Sequence, residues 1–149
     1  LVTRTSDEPN TQAALFPSRF DSLVKIVDFV SAAAVAAELD ERAVDAVRLA
    51  VDEASSNIIE HAYGGEEHGE IHCTCRITPG RLTITLTDFG APFDPTSVPE
   101  PDLCDDIEKR SEGGLGLYLM RQLMDEVCFR FHPQLGNVLT MVKFTERDR

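Results

Sequence analysis

The feature that most constrains this chain is a stripe of apolar residues between Asp40 and Tyr63. Val44, Val47, Val51, Ala54 and Ile58 are separated by alternating steps of three and four, so in a helix they fall on one face and demand a core to cover them. Asp40 stands where an N-cap belongs, with Ala43 at the position that holds Glu in a full capping box. Gly64-Gly65 marks the stop. Upstream, Leu23, Ile26, Val27, Val30 and Ala34 recur at helical spacing within Phe20–Leu39, with Ser18 in place to cap that helix. Ala13–Phe16 reads as a short strand stopped by Pro17. The polar residues 1–10 read as a flexible N-terminus.

Beyond the glycines the period changes. Ile71–Ile77 and Leu82–Thr87 alternate, and Pro79-Gly80 lies between them, so the pair is predicted to be a hairpin. From Gly90 to Gly114 the chain is irregular, with Pro92, Pro95, Pro99 and Pro101 followed by a run of charges. A loop of that length inside a compact domain is usually functional or disordered, and a lid spanning about 91–114 is expected. Helical spacing returns over Leu115–Met124, and Val127–Phe131 with Val138–Phe144 reads as a second hairpin turning near Gly136. Two helices, a hairpin, a lid, a helix and a hairpin predict an α+β fold. It is a two-layer sandwich with a mixed, mainly antiparallel sheet and helices on one face. Residues 11–149 form one domain in this reading.

Composition narrows the function. A 149-residue chain with a net charge of −12 lacks the excess of Lys and Arg that direct nucleic-acid binding requires. The alanine-rich run Ala32–Ala37 is far too short to span a bilayer. No basic segment followed by an apolar core opens the sequence, which begins at Leu1. A cytoplasmic location is expected, and the four cysteines (Cys73, Cys75, Cys104 and Cys128) are read as free. Cys73 and Cys75, near His72, match no standard zinc spacing.

Three short motifs carry chemistry. Glu53 and Asn57 are four apart and so share one helical face. The Asn oxygen suits a hard cation such as magnesium, and the Glu carboxylate suits proton abstraction from a hydroxyl. A solvated helix face would also carry such a pair. Asp88-Phe89-Gly90 leaves a strand into a turn, where a carboxylate can accept from a ligand amino group and a glycine lets the backbone approach. A plain strand-ending turn reads the same way. Gly113-Gly114-Leu115-Gly116-Leu117 closes the long loop at a helix N-terminus, where exposed N–H groups favour anions. A flexible linker is the alternative.

In this order and spacing, Glu-x-x-x-Asn, Asp-x-Gly and Gly-x-Gly resemble the N, G1 and G2 boxes of the gyrase/histidine-kinase ATPase superfamily. The resemblance covers nearly the whole chain and implies the Bergerat fold. Asp52-Glu53-Ala54-Ser55-Ser56-Asn57-Ile58-Ile59-Glu60-His61-Ala62-Tyr63, with Asp88-Phe89-Gly90-Ala91-Pro92-Phe93-Asp94, is similar to the anti-sigma factor serine kinases. That resemblance implies an ATP- and Mg²⁺-dependent protein serine kinase that sequesters a sigma factor and phosphorylates an anti-anti-sigma protein, commonly as a homodimer. It implies Glu53 as general base and Asn57 as magnesium ligand. Asp88 would accept from the adenine amino group, and Gly90 would shape the adenine pocket. Gly114 and Gly116 would hold phosphates, with Gly113 as hinge and Leu115 in the same nucleotide-contacting set. His61 would sit near the nucleotide end of the helix. Arg110, beside Lys109, would neutralise the γ-phosphate or touch a partner.

One position departs from the pattern. Members often carry Gly-Thr at the start of the last strand, the Thr supporting the adenine Asp, whereas here Gly136 is followed by Asn137. Asp88-Phe89-Gly90 also coincides with a eukaryotic-type kinase signature, but no Val-Ala-Ile-Lys, His-Arg-Asp or Walker A sequence accompanies it. Two rivals remain at this level: a nucleotide-binding regulatory module without transfer, and the catalytic domain of a histidine kinase. The latter needs a phosphoacceptor helix pair that the residues before Ser18 cannot supply.

Overall fold

The computed structural model describes residues 2–4, 10–92 and 112–145. The long loop beyond Pro92, with Lys109 and Arg110, lies outside the described residues. Six strands form one sheet in the order β1-β2-β3-β4-β6-β5. They are β1 (Val2–Arg4), β2 (Thr11–Pro17), β3 (Glu70–Thr78), β4 (Arg81–Asp88), β5 (Glu126–His132) and β6 (Gly136–Phe144). Every described pairing is antiparallel. The helices are α1 (Ser22–Ala36), α2 (Glu41–Asn57) and α3 (Glu112–Leu123), and α2 packs against both of the others.

The expected two-layer sandwich is what the chain builds. Alternation along β3 and β4 sends Ile71, Cys73, Cys75, Leu82, Ile84 and Leu86 into one core with Ile26, Val30, Val47 and Val51 of the helices. The opposite face of the sheet carries half-buried Thr74, Thr83, Thr85, Thr87 and Thr140. Cys73 and Cys75 are free and buried in this core. A hydrogen bond with Cys75, then burial, pushes the Cys73 thiol well above its usual value. Among the described residues no cluster of three His, Cys, Asp or Glu is placed to hold a metal.

Local expectations meet three corrections. Residues 2–4 are not a frayed end: they form edge strand β1, with Val2 opposite Ala14 and Arg4 opposite Gln12. Ser18 caps nothing. It is buried, its hydroxyl accepts from the Gly69 N–H at 3.1 Å, and Asp21 stands at the N-cap of α1 without a side-chain capping bond. The third helix begins at Glu112, so Gly113 and Gly114 lie in its first turn rather than in the loop before it. The Asp40 cap does form, its carboxylate accepting from the Ala43 N–H at 2.7 Å.

Past Asn57, α2 widens into a π-helical turn, Ile58–Ala62, in which the Tyr63 N–H donates to the Ile58 carbonyl at 2.9 Å. Such turns place side chains and carbonyls out of α-helical phase, often at functional sites. The far end of α3 is tied to the sheet. Buried Lys143 of β6 donates to the Leu123 carbonyl at 2.6 Å, satisfying a helix-terminal acceptor.

Candidate functional site

Helix α2 presents the first half of the site. Glu53 and Asn57 are half-buried, one turn apart, and Gly116 of α3 stands directly against them. A Cβ at Gly116 would overlap the Glu53 carboxylate oxygen and lie 3.0 Å from the Asn57 amide nitrogen. The absence of a side chain at that position lets the backbone of α3 pack directly against the two polar groups. Asn57 offers a neutral oxygen ligand and Glu53 a carboxylate. That sparse donor set fits a magnesium ion held mainly by phosphate oxygens and water, and does not fit a dedicated all-protein metal site.

The end of β4 presents the second half. Asp88 is buried, with 4% of its surface exposed. Its Oδ1 accepts from the Gly90 N–H at 2.9 Å and from the Asn137 amide at 2.8 Å. Burial raises its pKa from the ordinary value, and the bonds from Asn137 and Gly90 partly oppose that rise. Among the described residues nothing donates to Oδ2, so one oxygen is left to accept from a ligand. Gly90 sits against the π-helical turn, where any Cβ would run into the Ala62 carbonyl. The next residue ties the two segments, the Ala91 N–H donating to the Ala62 carbonyl at 2.7 Å. The acceptor carboxylate and the Glu53–Asn57 pair are therefore joined through a single continuous helix end.

The expected residues are not all brought together. Glu53, Asn57 and Gly116 meet, and Asp88 and Gly90 meet beside Ala62. Gly113, Gly114 and Leu115 lie on the first turns of α3, ahead of Gly116. His61 lies on the π-helical turn with its side chain 52% exposed, and its Nε2 is 3.8 Å from Glu60 of the same turn. Arg110 lies outside the described residues.

Two contributors were not legible as site residues. The Tyr63 hydroxyl donates to the Glu70 carbonyl at 2.6 Å and accepts from the Phe89 N–H at 3.0 Å, bracing the turn that follows Asp88. Asn137, noticed only as a departure, lies opposite Asp88 in the β4–β6 register and reaches Gly90 and Ala91 as well. Tyr63 closes the quoted motif and Asn137 follows the turn glycine Gly136, but neither position shows its partners: Phe89 lies 26 residues from Tyr63, and Asp88 lies 49 from Asn137.

Residues 16–143 match the histidine kinase-like ATPase domain family. The serine-protein kinase RsbW of Bacillus licheniformis is 37% identical over 115 residues, covering 71% of this chain and 68% of that protein. The chain belongs to the RsbW serine-protein kinase family of histidine kinase-like ATPases. RsbW of Bacillus subtilis strain 168 is 34% identical over 111 residues, with the same 71% and 68% coverage. The crystal structure of the RsbU and RsbW domains of Rv1364c from Mycobacterium tuberculosis superposes with a TM-score of 0.64 at 14% identity, a likeness of fold. The match covers 90% of this chain and 32% of that longer one. RsbW membership accounts for the order of the three motifs and for the sandwich that positions them.

Proposed function

We propose that this chain is an ATP-dependent protein serine kinase of a partner-switching circuit, binding a sigma factor and phosphorylating a serine of an anti-anti-sigma protein. The observation that carries the reading is the packing of Gly116 against Glu53 and Asn57, which brings a carboxylate, an amide and the start of α3 together. Membership of the RsbW family supplies the substrate class. Asp88 accepts from the adenine amino group through Oδ2, and the N–H groups of Gly113 and Gly114, in the first turn of α3, receive phosphate oxygens. Arg110, Leu115 and His61 complete the nucleotide-contacting set. Among the described residues no helix is long and apolar enough to cross a membrane; a cytoplasmic location and a homodimeric state belong to the same proposal. So does the absence of direct nucleic-acid binding, since a net charge of −12 repels phosphate backbones.

In the transfer step Glu53 takes the proton from the substrate serine as its oxygen attacks the γ-phosphorus. The bond from that phosphorus to the β,γ-bridging oxygen breaks, and ADP carries away the electron pair. Asn57 would hold a magnesium ion, which would supply charge neutralisation for the transferring group. The protein's share is positioning and electrostatics rather than covalent chemistry.

The test separates binding from chemistry. Calorimetric titration with ATP, with and without Mg²⁺, is expected to give magnesium-dependent binding that Asn57→Ala loses. Glu53→Ala is expected to bind nearly as tightly and to transfer phosphate at least about a hundredfold more slowly. Equal binding loss in both variants would remove the division of labour between them.

A further inference from the structure

Asn137 makes an unusual set of contacts for a strand residue. Its Nδ2 lies 2.8 Å from Asp88 Oδ1, 3.2 Å from the Gly90 carbonyl and 3.1 Å from the Ala91 carbonyl. All three neighbours are acceptors, which settles the orientation of the amide: the nitrogen, not the oxygen, faces Asp88. Two hydrogens serve three acceptors, so the group clasps the carboxylate and the turn together. The β4–β6 register sets Asn137 directly opposite Asp88, so the clasp is built into the sheet.

The consequence lies in which oxygen of Asp88 is spent. Oδ1 receives Asn137 and the Gly90 N–H, and Oδ2 receives nothing among the described residues. Adenine presents one amino donor beside a ring acceptor, and a single carboxylate oxygen suits it. Guanine presents a ring N–H and an amino N–H side by side, and that pair is best met by two carboxylate oxygens at once. A carboxylate with one oxygen already committed serves the first base and fails the second.

We propose that Asn137 is the residue that sets purine choice in this chain, by holding Asp88 as a one-oxygen acceptor. The proposal rests on the reading that Asp88 meets the nucleobase. Asn137 acts through Asp88 and is a positioning residue. Without its amide, the local bond from Gly90 is the one among the described residues that still holds the carboxylate plane, and the group turns more readily to offer both oxygens.

The experiment measures Mg·ATP and Mg·GTP affinity by calorimetry on the whole chain and on Asn137→Ala, Asn137→Val and Asn137→Thr, with Asp88→Ala as the control on the site. The non-donor variants are expected to lower the ATP-to-GTP affinity ratio about tenfold, the size of one charge-assisted hydrogen bond. Asn137→Val suits a strand and carries the test if Asn137→Ala does not fold. Asn137→Thr restores a donor and is expected to bring the ratio back to within about threefold of the original. Equal loss of both nucleotides, or no rescue by Thr, overturns the proposal, because a purely structural role would give that result. Wild-type protein that binds neither nucleotide, or Asp88→Ala that binds ATP undiminished, overturns the nucleobase reading beneath it.

Discussion

Asp88 is pulled two ways. Burial favours its neutral form, and the donors Asn137 and Gly90 favour the carboxylate; burial prevails and the pKa stands above the ordinary 3.8. The folded chain therefore takes up this proton more readily than the unfolded one. The contribution of Asp88 to stability is full below 3.8 and is lost as pH rises through the raised folded value. Asp88→Asn keeps the shape and keeps an oxygen for the two donors. It is expected to melt above wild type at neutral pH, with the advantage vanishing in acid, in thermal scans across that range. The same substitution turns an N–H toward the place of Oδ2, where the proposed adenine contact needs an acceptor. ATP affinity is expected to fall at least about tenfold. A gain in stability with a loss of binding is the signature of a residue kept for function. Tyr63 is the contrasting case. Tyr63→Phe removes the bonds to Glu70 and Phe89, both at the surface, where water replaces them. The cost is expected to be about 1 kcal/mol in urea unfolding, and ATP affinity is expected to weaken as the turn after Asp88 loosens.

At the scale of elements, Gly116 is where helix packing and chemistry meet. Alanine there improves helix propensity by up to about 1 kcal/mol, yet its Cβ overlaps the carboxylate of Glu53. A carboxylate at the end of a flexible side chain moves aside easily, so the fold tolerates the change and the base does not stay in place. Gly116→Ala is expected to melt within a few degrees of wild type while the transfer rate drops about a hundredfold, a split read by pairing calorimetric scans with single-turnover kinetics. The elements that were legible from sequence are those that carry their own period. The α2 stripe and the β3–β4 alternation span many residues and face one core. Strand β1 was not legible because three residues display no period; its pairing with β2 creates it. Ser18 was misread as a cap because its true partner, Gly69, lies 51 residues away. The Asp88–Asn137 contact, 49 residues apart, was reachable only through the resemblance, which puts Asn137 where members carry the Thr that supports the adenine Asp. Motifs single out residues one at a time, and the clasps between those residues depend on register.

At the scale of the molecule, the site draws on α2, α3 and the end of β4, which share one core. Helix α2 leans on α1 through exposed contacts such as Arg48 to Ser31, at 3.0 Å, while α3 is anchored to β6 by Lys143. A nucleotide contacting Asn57, Asp88 and the start of α3 joins all three to one ligand, and a ligand that binds only the folded form raises its stability by mass action. Mg·ATP at a hundred times its dissociation constant is expected to add about 2.7 kcal/mol, which for a domain of this size corresponds to roughly 5–10 °C in melting temperature. Asn57→Ala, scanned at the same nucleotide concentration, is expected to show little of that shift while its ligand-free melting temperature stays near wild type. Arg48→Ala changes the helix pair far from the ligand, so it is expected to lower the ligand-free value slightly and keep the full nucleotide shift. The reverse pattern, with Asn57→Ala shifted as far as wild type, would mean that nucleotide reaches the fold by a route that does not pass through α2, and the magnesium role of Asn57 would have to be abandoned.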